Sequence, residues 1–318
     1  MNRIVPTGLW PSDDRLGLMR AGIKDLKLWL DDIVRVGLII HQLPDVELDT
    51  MSSRLVDSQL GGLARKLRLL KTLDRNEPAW PKITLAVLSR LYLVADYFHK
   101  WDMLNQVQKF TLLMHCGLHV RKEQLSTISG TRDFWTVLGI SHLQEEKLVM
   151  RRVWIAGSRS KKIGLLLDFK HRTGNFTSFW EMNKTYAGEL VYYPSSFPLR
   201  AILKDCSQVQ SEEKQFPAYK SLDTFMNNYA LAVSRDNWLS VFPAPLKDVY
   251  LDYVDGSFRL IDKQKKYLPV EMDDGGCWSL VGRSHCEPLQ CMAEWDGSSL
   301  NILAYKVDQK IFPTRDLI

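Results

Sequence analysis

A chain of 318 residues is long for a single core and favours two domains. Its 45% hydrophobic and 25% charged content is that of a folded globular protein, which excludes a disordered or fibrous chain. The net charge of +5 divides as +3 over residues 1–145 (19 basic, 16 acidic) and +2 over 146–318 (23 basic, 21 acidic), so no basic tail announces a nucleic-acid partner.

No apolar run approaches the roughly 18 residues of a membrane span, and Val36 to Leu43, the longest candidate, contains His41 and Gln42. The N-terminus MNRIVPTGLW has no apolar core of a signal peptide. Five cysteines, an odd number and widely spaced, do not form a disulfide framework. A reducing, cytoplasmic setting is therefore expected.

Residues 1–14 read as an irregular lead-in, with Ser12 or Asp13 available to cap a helix. A helix is expected from about Ile23 to Ile40, its face made by Ile23, Leu26, Leu30, Ile33, Val34 and Leu38. Trp29, Val36 and Ile40 widen that face, which predicts cover on more than one side. Lys27–Asp31 and Asp31–Arg35 are i,i+4 pairs on the opposite stripe. A second helix carries Val56, Leu60, Leu63, Leu67 and Leu70, interrupted by Gly61-Gly62. Two glycines inside a helix cost roughly 1 kcal/mol each, so they predict a kink, a helix end or close packing of another backbone.

Further helices are expected after Pro78 and Pro81, over 104–117 and over 122–128. Residues 1–145 thus read as an all-helical module. The period then changes. Residues 148–155 and 162–169 flank an expected hairpin turn at 157–160, and 176–182, 188–193 and 199–204 are strand candidates. One helix intrudes at about 221–234. After the Phe242-Pro243-Ala244-Pro245 breaker come short strands at 249–254, 257–262, 277–281, 291–295 and 300–307, separated by Asp-Gly turns. The expected fold class is α+β: a helical module over 1–145, then a mainly antiparallel β-rich module over 146–318 with one inserted helix.

Several runs then carry a resemblance. Residues 29–38, WLDDIVRVGL, and 54–64, RLVDSQLGGLA, are similar to the region that follows the finger in bacterial SWIM zinc-finger family proteins. The runs 189–201, ELVYYPSSFPLRA, and 294–297, EWDG, fit as well. The resemblance extends from about Gly22 to Tyr305. It implies an accessory, non-enzymatic role beside a MoxR-type AAA ATPase and von Willebrand factor A proteins. The SWIM finger needs Cys-x-Cys and then Cys-x-His, and this chain has neither. The relatives' zinc ligands have no counterpart here, so no metal or other cofactor is expected. The chain resembles the C-terminal portion alone, whether a short form, a split gene or a fragment.

Local constellations are weighed on their chemistry. Arg65, Lys66, Arg68 and Lys71 form a basic helix face with no acid between Asp57 and Asp74. That face is a candidate phosphate-backbone site, the alternative function being nucleic-acid binding. It lacks interleaved aromatics, and an ordinary solvated face accounts for it. His115 and His119 lie i,i+4 beside Cys116, and Cys277, His285, Cys286 and Cys291 lie within fifteen residues, but neither set has the close pairs that zinc favours. Asp57 and Gln59 beside the Gly-Gly break read as structural. No nucleophile elbow, protease cysteine signature or phosphate loop is present, and no catalytic residue is assigned.

Overall fold

The computed structural model describes residues 5–38, 42–144, 148–210, 217–285, 287–307 and 310–314. The chain divides into two compact units: 1–124 with 194–196, and 125–193 with 197–318.

The first unit is helical. Helix α1 (Asp13–Val36) begins at Ser12, whose side chain accepts from the Arg15 backbone N–H, and Asp13 and Asp14 complement the dipole of its first turn. It starts ten residues before the expected position. Met19, Ile23, Leu26, Leu30 and Ile33 are its buried stripe. Val34, expected on that stripe, and Val36, expected to widen it, are exposed (75% and 46%), and Ile40 lies outside the described residues. A single buried stripe therefore suffices for α1. Lys27 pairs with Asp31 as expected, whereas Arg35 pairs with Asp32.

Helices α2 (Asp45–Asp57) and α3 (Gly61–Leu70) are separated by the turn 58–60, in which Gln59 takes φ +63°. Asp57 and Gln59 are both exposed beside this turn. Helix α4 (Trp80–His99) has Pro81 in its first turn, and α5 (Gln106–Cys116) opens on an Asn105/Gln108 capping box. A short α6 (Lys122–Leu125) follows.

Gly62 explains the Gly-Gly pair. A Cβ there would sit 2.8 Å from both the Gly117 nitrogen and the His115 carbonyl oxygen. The start of α3 thus rests on the backbone that ends α5, where Gly117 takes φ +107°. Gly22 similarly lets α1 approach Ser58 and Leu60.

The second unit is built from two sheets. Strands β1 (Thr131–Gln144), β2 (Leu148–Gly157), β3 (Ile163–His171), β4 (Thr185–Tyr192) and β5 (Arg200–Val209) close into a barrel in the order β1-β2-β3-β5-β4. All pairings are antiparallel except β3 with β5, which is parallel at Leu165↔Arg200 and Leu166↔Ala201. A five-stranded barrel of this order is of the OB type. Strand β1 was expected to belong with the helices. It is buried on both faces over 135–140, so its sequence shows no alternation to reveal it. The expected strand 176–182 is a loop instead.

The second sheet runs β11-β10-β9-β6-β7-β8, with β6 (Phe242–Val254), β7 (Ser257–Asp262), β8 (Tyr267–Pro269), β9 (Leu289–Trp295), β10 (Leu300–Val307) and β11 (Lys310–Pro313). Pro243 and Pro245, read as a breaker, lie inside β6. Within the sheet, residues 242–247 pair with β9 and not with β7, and on the other side Lys247 N–H donates to the Tyr219 carbonyl oxygen. Positions 243 and 245 face that same side, where a missing N–H leaves the ladder intact. Helix α7 (Leu222–Arg235) is the inserted helix, capped by Ser221. The strand expected at 277–281 is instead part of helix α8 (Asp274–Ser284), nucleated by the Asp273 side chain accepting from Gly276 N–H.

Alternation divides the barrel strands cleanly. Trp135, Val137, Ile140, Val153, Ile155 and Leu166 fill the barrel. Leu138, Trp154, Ala156 and Leu165 point outward into a second core shared with Met292, Ala293 and Ile302 of the other sheet. A register shift in β1 between Val137 and Gly139 and the absence of a side chain at Gly139 let β1 approach Met292 and Leu303.

Candidate functional site

The interior row of the barrel changes character at one end. Beyond Ile140, Val153 and Leu166 the same row continues as His142 on β1, Arg151 on β2, and Asp168 and Lys170 on β3. Arg151 stands directly opposite Asp168 in the β2–β3 register. The two form a buried ion pair at 2.7 Å, their side chains 9% and 6% exposed. Asp168 Oδ2 also accepts from Trp180 Nε1 at 3.0 Å, and Arg151 Nη2 donates to the Ser178 carbonyl oxygen. Arg151 Nε is buried without a hydrogen bond to a described residue.

Above this pair, Phe176 is a hub. The Arg151 guanidinium lies 4.1 Å and the Lys170 ammonium 5.0 Å from its ring centre, and the His142 ring lies 5.7 Å away. With its amide oxygen turned toward Arg172, Gln144 accepts from Nε and Nη2, both at 3.2 Å. A cleft of about 460 Å³ opens here, lined by His142, Gln144, Lys170 and Arg172 on its charged side and by Ile140, Val149, Phe176 and Met182 among its apolar groups. Partial burial lowers the His142 pKa from its ordinary value, and the charges of Arg151 and Lys170 lower it further. A neutral imidazole therefore faces two cations.

The outer face of β2 has a different fate. In OB-type barrels the strand 2–3 face binds oligonucleotides. Here Trp154 Nε1 donates to Glu294 at 2.7 Å, Arg152 pairs with the same carboxylate at 3.0 Å, and Ser141 Oγ donates to it at 3.0 Å. Glu294 is buried on β9. The aromatic and the cation that would make a nucleic-acid surface are consumed by the second sheet. Glu294 opens the 294–297 run. Asp296 in that run accepts from Ser298 and Ser299 N–H, and Gly297 takes φ +105°, so the run forms the β9–β10 corner.

In the β2–β3 turn the backbone N–H groups of Arg159 and Ser160 are taken by a carboxylate of the chain itself. Asp133 accepts from Ser158 Oγ, Arg159 N–H and Ser160 N–H.

Of the basic residues singled out, Arg65, Lys66 and Arg68 lie on α3 and Lys71 caps its C-terminus. Arg65 and Arg68 are exposed, Lys66 is half-buried, and Lys71 is ion-paired with Asp49 at 2.8 Å. Arg75, next in the run, pairs with Asp45 and donates to the Leu43 carbonyl oxygen.

The residues considered for zinc form no three-ligand group among those described. Burial pushes the Cys116 thiol up to about 12, with partial relief from Lys66, and burial pushes Cys291 up to the same value. Cys277 is buried on α8, His285 is exposed just beyond it, and Cys286 lies outside the described residues. Among the described residues no group of three His, Cys, Asp or Glu is placed to hold a metal. No described helix is long and apolar enough to cross a membrane.

Sequence reasoning missed the barrel-mouth residues. Counting outward from the expected turn at 157–160 sets Arg151 against Leu166, whereas the ladder closes at Ala156↔Ile163 and so sets Arg151 against Asp168. His142 and Arg172 carried no such signal.

No curated protein matches the chain. Residues 14–115 match the family profile of the SWIM-associated four-helix bundle domain. That span runs from the first turn of α1 to the end of α5 and takes in both runs, 29–38 and 54–64, that resemble the SWIM family. The helical unit thus carries a stretch similar to the SWIM-associated four-helix bundle domain.

Proposed function

We propose that the chain is a non-enzymatic accessory protein that works through protein–protein contacts, with a MoxR-type AAA ATPase and a von Willebrand A protein as partners. The observation that carries this reading is the SWIM-associated bundle over 14–115, because the partners are those the SWIM resemblance implies. Its test is affinity purification of the tagged chain from a host carrying genes for both partners. Recovery of the ATPase or the von Willebrand A protein is expected. Recovery of neither, with the chain folded and expressed, overturns the reading.

The alternative, nucleic-acid binding through Arg65, Lys66, Arg68 and Lys71, draws on the exposure of the first and third of these. The pairing of Lys71 with Asp49 and of Arg75 with Asp45 cancels part of the charge that phosphate binding would use, and we rank it second.

A further inference from the structure

We propose that the open end of the five-stranded barrel binds a small oxyanion, a phosphate or carboxylate group, through Lys170, Arg172, His142 and Gln144.

The cleft's volume, about 460 Å³, is that of a small-molecule site, and barrel mouths are a recurrent place for one. Its composition sets the sign of the ligand. Lys170 and Arg172 line it, and no Asp or Glu is among the described lining residues. The nearest carboxylate of the interior row, Asp168, is already engaged by Arg151 and by Trp180 Nε1. The buried pair beneath the cleft is therefore close to neutral, and among the described residues the two cations above it are in excess.

Both cations are held in place. Lys170 is seated against the Phe176 ring, and Arg172 is oriented by the Gln144 amide oxygen. With Nε and Nη2 turned to Gln144, the Nη1–Nη2 edge of the guanidinium remains for a two-pronged contact with an oxyanion. The Gln144 amide nitrogen and the neutral His142 ring add donors without adding negative charge. Phe176 also bounds the ligand's size. Its ring is in contact with Arg151, Lys170 and His142, so it offers no clear face for stacking a nucleobase. A compact anion fits this site better than a stacked nucleotide strand.

The test uses the full chain with inorganic phosphate in one arm and citrate in the other. The His142 imidazole resonances are followed by NMR, and heats of binding by calorimetry. Saturable movement of His142 with phosphate, citrate or both is expected, and the arm that saturates first names the favoured group. Lys170→Met and Arg172→Gln are each expected to weaken binding about tenfold or more, because each removes a charge-assisted contact. Lys82→Gln on α4 is the control and is expected to change nothing. Thermal melts show that each variant is folded. Absence of saturable movement in both arms overturns the proposal, as does undiminished binding by both folded variants. Binding of single-stranded DNA at this site with neither free anion also overturns it.

Discussion

Trp154 Nε1 on β2 donates a 2.7 Å hydrogen bond to Glu294 on β9, linking the outer wall of the barrel to the second sheet through a buried carboxylate. Glu294→Ala would strand Arg152, Trp154 and Ser141 without their acceptor. A loss of about 3–5 kcal/mol is expected, the usual result of breaking a buried charge pair from one side. Trp154→Phe removes only one donor and is expected to cost less, about 1–3 kcal/mol. Urea unfolding of the two variants measures the order, and equal losses would show that the carboxylate is not the hub of this junction.

Asp133 gives the β2–β3 turn a pH dependence. Burial favours the protonated carboxyl, but hydrogen bonds from Ser160, Phe134 and Arg159 outweigh it and lower the pKa from 3.8 to about 2. The folded pKa lies below the unfolded one. The stabilisation is therefore complete above about pH 4 and is lost as pH falls toward 2. Asp133→Asn is expected to melt lower than the parent at pH 6, with the gap narrowing between pH 4 and 2. A gap that does not change with pH would remove Asp133 from the acid response.

Adjacent glycines on α3 should respond in opposite directions. Gly62→Ala places a Cβ against the backbone of 115–117 and is expected to destabilise the helical unit by about 1–3 kcal/mol. Gly61→Ala meets nothing within 4 Å and is expected to be neutral or to stabilise by up to about 1 kcal/mol. Melting temperatures of the two single variants decide it.

The basic face of α3 is tested by charge reversal. If Arg65, Lys66, Arg68 and Lys71 hold a nucleic acid, binding to a fluorescent single-stranded DNA falls steeply with added salt, and Arg65→Glu with Arg68→Glu abolishes it. If the proposed interaction role is correct, neither the parent nor the variant binds at low salt. Fluorescence anisotropy gives the answer.

Much of the helical unit is legible because α1 to α4 bury one stripe each. Ile23, Leu26, Leu30 and Ile33 announce α1 by spacing alone, although Val34 has the same chemistry and remains in solvent. Strands buried on two faces lose that signal, which is why β1 escapes notice. Pro243 and Pro245 mislead for another reason, since their effect depends on which side of β6 is paired, a fact held by β9 some fifty residues away. At 277–281 the Asp273 cap decides the conformation, and the apolar residues alone do not. The barrel mouth is the least legible part. His142 and Lys170 become neighbours only when the strands pair, and alternation in one strand says nothing about which row will end in charge.

The barrel's closure rests on its shortest seam. Strands β3 and β5 meet at just two register pairs, Leu165↔Arg200 and Leu166↔Ala201, whereas β1 and β2 share nine. The hairpins β1–β2 and β2–β3 can form locally, but this seam joins segments some 35 residues apart and must wait for the loop between them to close. Kinetically, the barrel should fold as an open sheet that zips shut last. In the native state, the amides at that seam should exchange with deuterium sooner than those of the β1–β2 ladder.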